Sequence, residues 1–357
     1  MTVDLRSDTV TRPSEAMRKA MAESLVGDDV IDTDPTILEL QALTAELLGK
    51  EAAIFMPSGT MTNQIAVRIH CKPGDEFLCE SSCHIFNYEQ GAFAQLSGVV
   101  GRTLPGDGGV LAPAQFHGTV RPIDEHLVRT RLVCLENTHN RGGGRVQPFE
   151  WVEEICDWAH ESGLRTHLDG ARLFNAVVAS GRSAADWARP FDTVSVCFSK
   201  GLGAPVGSAL AGDKEAIREA RFHRKLFGGG MRQAGVIAAG ALYALRNNIQ
   251  RLADDHAHAR ILAEAIERSP GLSLPRPVET NIVIFDVSPE LGTAAEYAAT
   301  LEQRGVRMFA MGPTQVRAVT HLDVSEAEVR CAADIMEEVA AGLHCGDLQP
   351  AQGGLAY

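Results

Sequence analysis

The sequence predicts an α/β protein: a large domain with a mainly parallel sheet flanked by helices, then a smaller α+β C-terminal domain. Three observations lead there. Short apolar runs alternate with amphipathic runs of helical length through the middle of the chain. Those short runs are almost continuously apolar, as strands covered on both faces must be. Beyond about residue 255 the texture changes to fewer, more widely spaced strands between helices. At 357 residues, 45% hydrophobic and 22% charged, the chain is long enough for a large core and a small one.

In order, the strands expected in the first part are "AAIFM" (52–56), "EFLCE" (76–80), "RLVCLE" (131–136), "RTHLD" (165–169) and "TVSVCFS" (193–199). Between them, helical periodicity covers 60–71, 149–163 and 213–227. Strands separated by helices make a parallel sheet, whose ligands bind beyond the carboxyl ends of the strands. Later come the helix "ARILAEAIERSPG", the strand "TNIVIFDV", a further helix, "VRMFAMG", "QVRAVTH" and a last helix ending near Leu343.

A net charge of −13 argues against a nucleic-acid or anionic-membrane partner. The opening "MTVDLRSDTV" is charged from Asp4 and does not read as a signal peptide, so a cytoplasmic location is expected. The eight cysteines are scattered. Cys79 and Cys83 flank a turn beside His84, but with no second ligand cluster they read as reduced core thiols, and no metal is expected. No G-x-G-x-x-G follows the first strand and no Walker lysine motif occurs, which disfavours a generic nucleotide-binding protein.

Four strand ends carry side chains with chemistry. "MPSGTMTN" leaves a strand through Gly59 into a helix opened by Thr60, a seat for phosphate and equally an ordinary turn with an N-cap. "HLDGARLF" puts Asp169 at the end of its strand with Arg172 three residues on. "SVCFSKGLG" puts Lys200 at the tip of an apolar strand, and "SSCHIFNYE" gives His84 after a turn. Singly, each has a bland structural explanation. Together, a phosphate seat, an aspartate and a lysine beyond three parallel strands match what pyridoxal phosphate requires. Its phosphate needs a helix N-terminus, its aldehyde a lysine amine, and its ring nitrogen a carboxylate that keeps it protonated.

The blocks "DLRSDTVTRPSEAM", "KEAAIFMPSGTMTN", "HLDGARLFNAV", "SVCFSKGLGAPVGSAL", "FGGGMRQAG" and "VTHLD" resemble, in the same order, the low-specificity L-threonine aldolase family. These are pyridoxal-phosphate enzymes of the aspartate-aminotransferase fold type (fold type I), allied to β-eliminating lyases. The resemblance runs from about residue 3 to residue 340. It implies that Lys200 forms the Schiff base and that Asp169 faces the ring nitrogen. Gly59 and Thr60 would hold the phosphate, joined by Lys225 and Arg232 from a neighbouring subunit. Arg172, Arg317 and Ser7 would bind the substrate α-carboxylate, a role suited to the guanidinium fork. His84 would stack on the cofactor, and His126 would lie near the substrate hydroxyl. His167, Glu89 and Asn137 stand as supporting groups.

The resemblance further implies retro-aldol cleavage of L-threonine, L-allo-threonine and related β-hydroxy-α-amino acids to glycine and an aldehyde. The base would be His126, His84 or a water they hold. β-Elimination or transamination with the same cofactor remains the alternative, and a catalytically silent pyridoxal-phosphate protein the remote one. A homo-oligomer is expected, a tetramer built from dimers with shared active sites. Residues 1–30 are expected to pack on the small domain and the active site. A large cofactor-binding domain over 31–250, a small α+β domain over 251–345 and a flexible tail over 346–357 follow. One departure stands out: where the family shows a "DDVYGDDP"-like stretch, this chain has "GDDVIDTDPT", with Ile31 and Asp32 in place of the tyrosine and glycine.

Overall fold

The computed structural model describes residues 2–351. Two compact units result: one runs from Pro13 to Ile249, and the other joins the segment ending at Arg12 to the segment beginning at Gln250.

The larger unit is built on seven strands: β1 (Ala52–Met56), β2 (Asp75–Glu80), β3 (Val100–Leu104), β4 (Arg129–Glu136), β5 (Arg165–Gly170), β6 (Thr193–Cys197) and β7 (Ser208–Gly212). Their order across the sheet is β1-β7-β6-β5-β4-β2-β3. From β3 to β6 all neighbours run parallel, and β7 alone runs against both β6 and β1. Every residue of β2, β6 and β7 is buried, as a sheet covered on both faces requires. Five of the seven strands were expected from their apolar runs. β3 was not, because "VGRTL" carries a glycine and an arginine at a sheet edge. β7 was not, because "SALAG" is made of small residues with poor strand propensity; it forms because neighbours on both sides complete its ladder. β6 ends at Cys197, two residues earlier than its apolar run suggests, where the Phe198 N–H turns to donate to the Gly207 carbonyl.

Helix α1 (Gly59–His70) follows β1, and α2 (His84–Asn87) follows β2. Helix α3 (Leu173–Ser180) follows β5, and α4 (Lys214–Leu226) follows β7. Gly170, closing β5, has a steric reason: a Cβ there would meet the Ser195 carbonyl oxygen at 2.6 Å.

The smaller unit has a parallel pair, Val3–Asp4 with Val306–Arg307. Beside it an antiparallel sheet takes the order Phe309–Ala310, Gln315–Val319, Ile282–Val287, Leu272–Ser273. Its core draws Val3 and Leu5 together with Phe285, Tyr297 and Met336. Of the tail expected over 346–357, Leu348 N–H donates to the Gly342 carbonyl and Ala351 N–H to Thr300 Oγ1. Residues 352–357 lie outside the described residues. Among the described residues no helix is long and apolar enough to cross a membrane.

Candidate active site

Asp169 sits at the end of β5 with 4% of its surface exposed. One carboxylate oxygen accepts from the Ala171 N–H at 3.1 Å and the other from Asn63 Nδ2 at 2.8 Å. Burial pushes this carboxyl up. The charges of His84 and Lys200, with the Asn63 hydrogen bond, more than offset that, and the net direction is down. Asp169 is therefore an ionised carboxylate in a buried place, and Lys200 is close enough to help hold it so. Half-buried Lys200 follows the turn that closes β6, its carbonyl accepting from the Gly203 N–H at 2.8 Å.

His84 opens α2. Its N–H donates to Glu136 Oε2 at 2.7 Å and its ring Nδ1 lies 2.9 Å from Glu89 Oε1. Burial pulls the imidazole down, but the Glu89 hydrogen bond and the charges of Asp169 and Glu89 raise it overall. His84, Glu89 and Asp169 bring their polar atoms within 4.8 Å of one another. Asn63 Nδ2 reaches both Asp169 and Glu89, the latter at 2.9 Å, and Gln64 Nε2 donates to the other Glu89 oxygen at 2.5 Å.

Gly59 and Thr60 begin α1, a 12-residue helix capped by Ser58 Oγ, which accepts from the Met61 N–H at 3.2 Å. First-turn N–H groups have no partner within a helix and carry its positive end. Gly59 is the close approach here, since a Cβ would stand 2.7 Å from Cys197 Sγ. Arg172, buried at the head of α3, donates to Asn140 Oδ1 at 3.3 Å. Asn140 N–H in turn donates to Glu136 Oε1 at 2.8 Å, so Glu136 anchors both the His84 and the Arg172 side of the site.

Asp169, His84, Lys200, Glu89 and Asn63 are thus brought together. Of the remaining expected residues, His126, Lys225 and Arg232 belong to the larger unit and Arg317 and Ser7 to the smaller. His126 is on a loop with its side chain 80% exposed, bonded to Asp124 at 3.0 Å. Lys225 is exposed in the last turn of α4. Arg232 is exposed and paired with Asp28 at 2.9 Å. Arg317 is buried in the smaller unit and donates to the Arg6 carbonyl at 3.3 Å. Ser7, in the same unit, caps a short turn and accepts from the Thr9 N–H at 3.2 Å. At the departure from the family pattern, Asp32 is in the left-handed region at φ 57°, where a glycine is at ease, and pairs with Arg221 at 2.7 Å. Ile31 is 67% exposed.

Asn63, Gln64 and Glu136 were not singled out from the sequence. The signal that would have found the first two is polar residues inside the buried stripe of an otherwise apolar helix, "TNQIAV".

The family model for beta-eliminating lyases matches residues 4–290. The low specificity L-threonine aldolase of Escherichia coli (strain K12) is 43% identical over 328 residues, covering 92% of this chain and 96% of that protein. Low-specificity L-threonine aldolase 1 of Arabidopsis thaliana is 41% identical over 92% of this chain and 93% of its own length. Among solved structures, a Leishmania major threonine aldolase superposes with a TM-score of 0.83 at 23% identity, covering 95% of this chain and 99% of that one.

Proposed function

The chain belongs to the beta-eliminating lyase family, and from that premise we propose that it is a pyridoxal-phosphate-dependent carbon–carbon lyase. Its reaction is cleavage of L-threonine, L-allo-threonine and related β-hydroxy-α-amino acids to glycine and an aldehyde. The observation that carries this reading is Asp169: a buried carboxylate held ionised within the influence of Lys200 and His84.

The residues present fit the cofactor. Asp169 suits the ring nitrogen, Lys200 the aldehyde carbon, and the first turn of α1 at Gly59 and Thr60 the phosphate. Bound there, pyridoxal phosphate supplies the electron sink that lets the Cα–Cβ bond of the amino acid break. Asp169 would serve this by holding a negative charge at the ring nitrogen. His84 donates Nδ1–H to Glu89 and so leaves Nε2 free to take a proton, with Glu89 strengthening it as a base in the manner of a histidine–carboxylate pair. We assign His84 either to packing against the cofactor or to the substrate hydroxyl. His126 is assigned to that hydroxyl by the resemblance alone.

Arg172, tied through Asn140 to Glu136, is assigned to the substrate α-carboxylate, and the resemblance assigns Arg317 and Ser7 the same role. It also assigns Lys225 and Arg232 to a neighbouring subunit's phosphate, which is supported by their exposure on this chain. That assignment requires at least a dimer, and the resemblance extends it to a tetramer of paired dimers; a place in the cytoplasm and a part in glycine formation are likewise proposed from the resemblance.

The test is incubation of the purified protein with pyridoxal phosphate and L-threonine, with a Lys200→Ala control. Acetaldehyde and glycine in equal amounts, absent from the control, are expected. Ammonia with a keto acid would overturn the aldol reading in favour of elimination.

A further inference from the structure

A line of hydrogen bonds starts at Asp169 and leads away from the site along α1. Asn63 Nδ2 faces Asp169 Oδ2 at 2.8 Å and Glu89 Oε1 at 2.9 Å. Two carboxylates on one side fix which end of the amide is nitrogen, because both can only accept. Asn63 Oδ1 therefore faces the other way, toward His167 Nε2 at 3.1 Å. His167 precedes Asp169 by two residues on β5 and so shares its face of the sheet. Its second nitrogen, Nδ1, is 2.9 Å from Thr193 Oγ1, and Thr193 is its cross-strand neighbour at the start of β6. Thr193 Oγ1 is also 2.9 Å from Nε2 of His70, the last residue of α1.

The position of every proton on this line follows from the carboxylate end. Since Asn63 Oδ1 only accepts, His167 carries its proton on Nε2. Burial holds His167 neutral, pulling it down to about 3, so Nδ1 must accept. Thr193 has one hydroxyl proton and gives it to Nδ1; its oxygen then accepts from His70 Nε2–H. His70, also neutral at about 4 through burial, lines a polar cavity of about 300 Å³ with Arg165, Asp192 and Asp213.

We propose that His167 is a positioning residue for Asp169. Through Asn63 it fixes the amide that keeps the Asp169 carboxylate an ionised, correctly turned acceptor, while Thr193 and His70 lock the histidine tautomer that makes this possible. Without the Nε2–H, the buried Asn63 Oδ1 loses its donor, and the amide is held from the carboxylate side alone. Its Nδ2–H is then less firmly aimed at Asp169, and the carboxylate is a less well-placed partner for a protonated ring nitrogen.

This rests on the assignment of Asp169 to the cofactor ring, and the experiment separates the two. Full-length wild type, His167→Phe, His167→Gln and Thr193→Val are compared by thermal melting, by titration with pyridoxal phosphate, and by kcat and KM for L-threonine. His167→Gln keeps an N–H near the Nε2 position, and Thr193→Val is close to isosteric, so it remains informative if His167→Phe fails to fold. The expected result is cofactor binding weakened about ten-fold by His167→Phe, the cost of leaving a buried polar group unmatched. Thr193→Val should weaken it in the same direction by about three-fold, and His167→Gln should restore most of it, with kcat falling and KM little changed. Variants that lose thermal stability but bind pyridoxal phosphate as the wild type does would overturn the proposal. A wild type that binds no pyridoxal phosphate would sink the cofactor assignment instead. Histidine-selective ¹⁵N NMR would still decide the hydrogen-bond line: His167 and His70 as neutral Nε2–H tautomers support it, and either as Nδ1–H overturns it.

Discussion

Asp29 and Arg224 form an ion pair at 2.8 Å with both side chains all but excluded from water, at 1% and 2% exposure. Arg224 Nη1 also donates to the Phe55 carbonyl at 2.8 Å, on the strand that leads into Gly59 and Thr60. Burial raises the Asp29 carboxyl and lowers the Arg224 guanidinium despite their mutual attraction, so desolvation outweighs the pairing. Removing one partner strands the other charge. Asp29→Leu or Arg224→Met should each cost about 3–5 kcal/mol, whereas the two changes together should cost less than the sum. Denaturant titration of the four proteins measures this; additive losses would refute it.

Glu89 holds the His84 imidazole toward its protonated form. In Glu89→Gln the His84 pKa should fall, and the acid limb of the pH–rate profile should move to lower pH. The maximal rate should fall because the ring loses its anionic anchor. A profile whose acid limb does not move would assign that limb to another group.

Asp169→Asn keeps the shape of the site and removes its charge. Loss of a preorganised electrostatic partner costs about 10²–10³ in kcat. The variant should retain the wild-type melting temperature to within a few degrees, read by calorimetry beside the kinetics.

Two buried histidines, His167 and His256, and the half-buried His70 bear on acid stability. Burial lowers His70 to about 4, His167 to about 3 and His256 to about 4, so each binds its proton more weakly folded than unfolded. Their stabilising effect is complete above the unfolded value near 6.5. It is lost as the pH falls from there toward the folded values, at about 1.4 kcal/mol per pH unit for each group fully protonated only in the unfolded chain. Stability measured from pH 7 to pH 4 should fall steeply, and less steeply in His256→Gln.

Gly59→Ala and Gly170→Ala should both be harmful, for different reasons. At Gly170 the new Cβ meets a backbone carbonyl at 2.6 Å, which cannot swing aside, so stability should fall by about 1–3 kcal/mol. At Gly59 it meets the Cys197 sulfur at 2.7 Å, and the second change Cys197→Ala should relieve most of the loss. Melting curves of the single and double variants test the pairing.

The strands that carry Asp169 and Glu136 were legible because buried parallel strands write themselves as unbroken apolar runs. The strand "SALAG" was not, since its stability comes from neighbours far away in sequence. Lys200 and Asp169 were legible as charged residues at the tips of apolar strands, where no local structure asks for them. Asn63 was hidden because a single asparagine within a helix looks the same whether it faces water or two buried carboxylates. Only the packing of α1 on β5 distinguishes these. His126 shows the reverse case: the family resemblance alone drew attention to it, while its own surroundings in this chain are an exposed loop and Asp124.

β1 is an edge strand whose one neighbour in the sheet is β7, which begins about 150 residues later. At ribosomal rates of roughly 5–20 residues per second, that gap is on the order of 8–30 s of synthesis. Throughout it, the apolar strand that leads into Gly59 and Thr60 has no ladder partner. The segment proposed to seat the cofactor phosphate is thus made well before the strand that fixes it in the sheet. A growing chain of this protein therefore passes through a period in which β1 can pair wrongly with any other exposed edge, and during which chaperone capture is most useful to it.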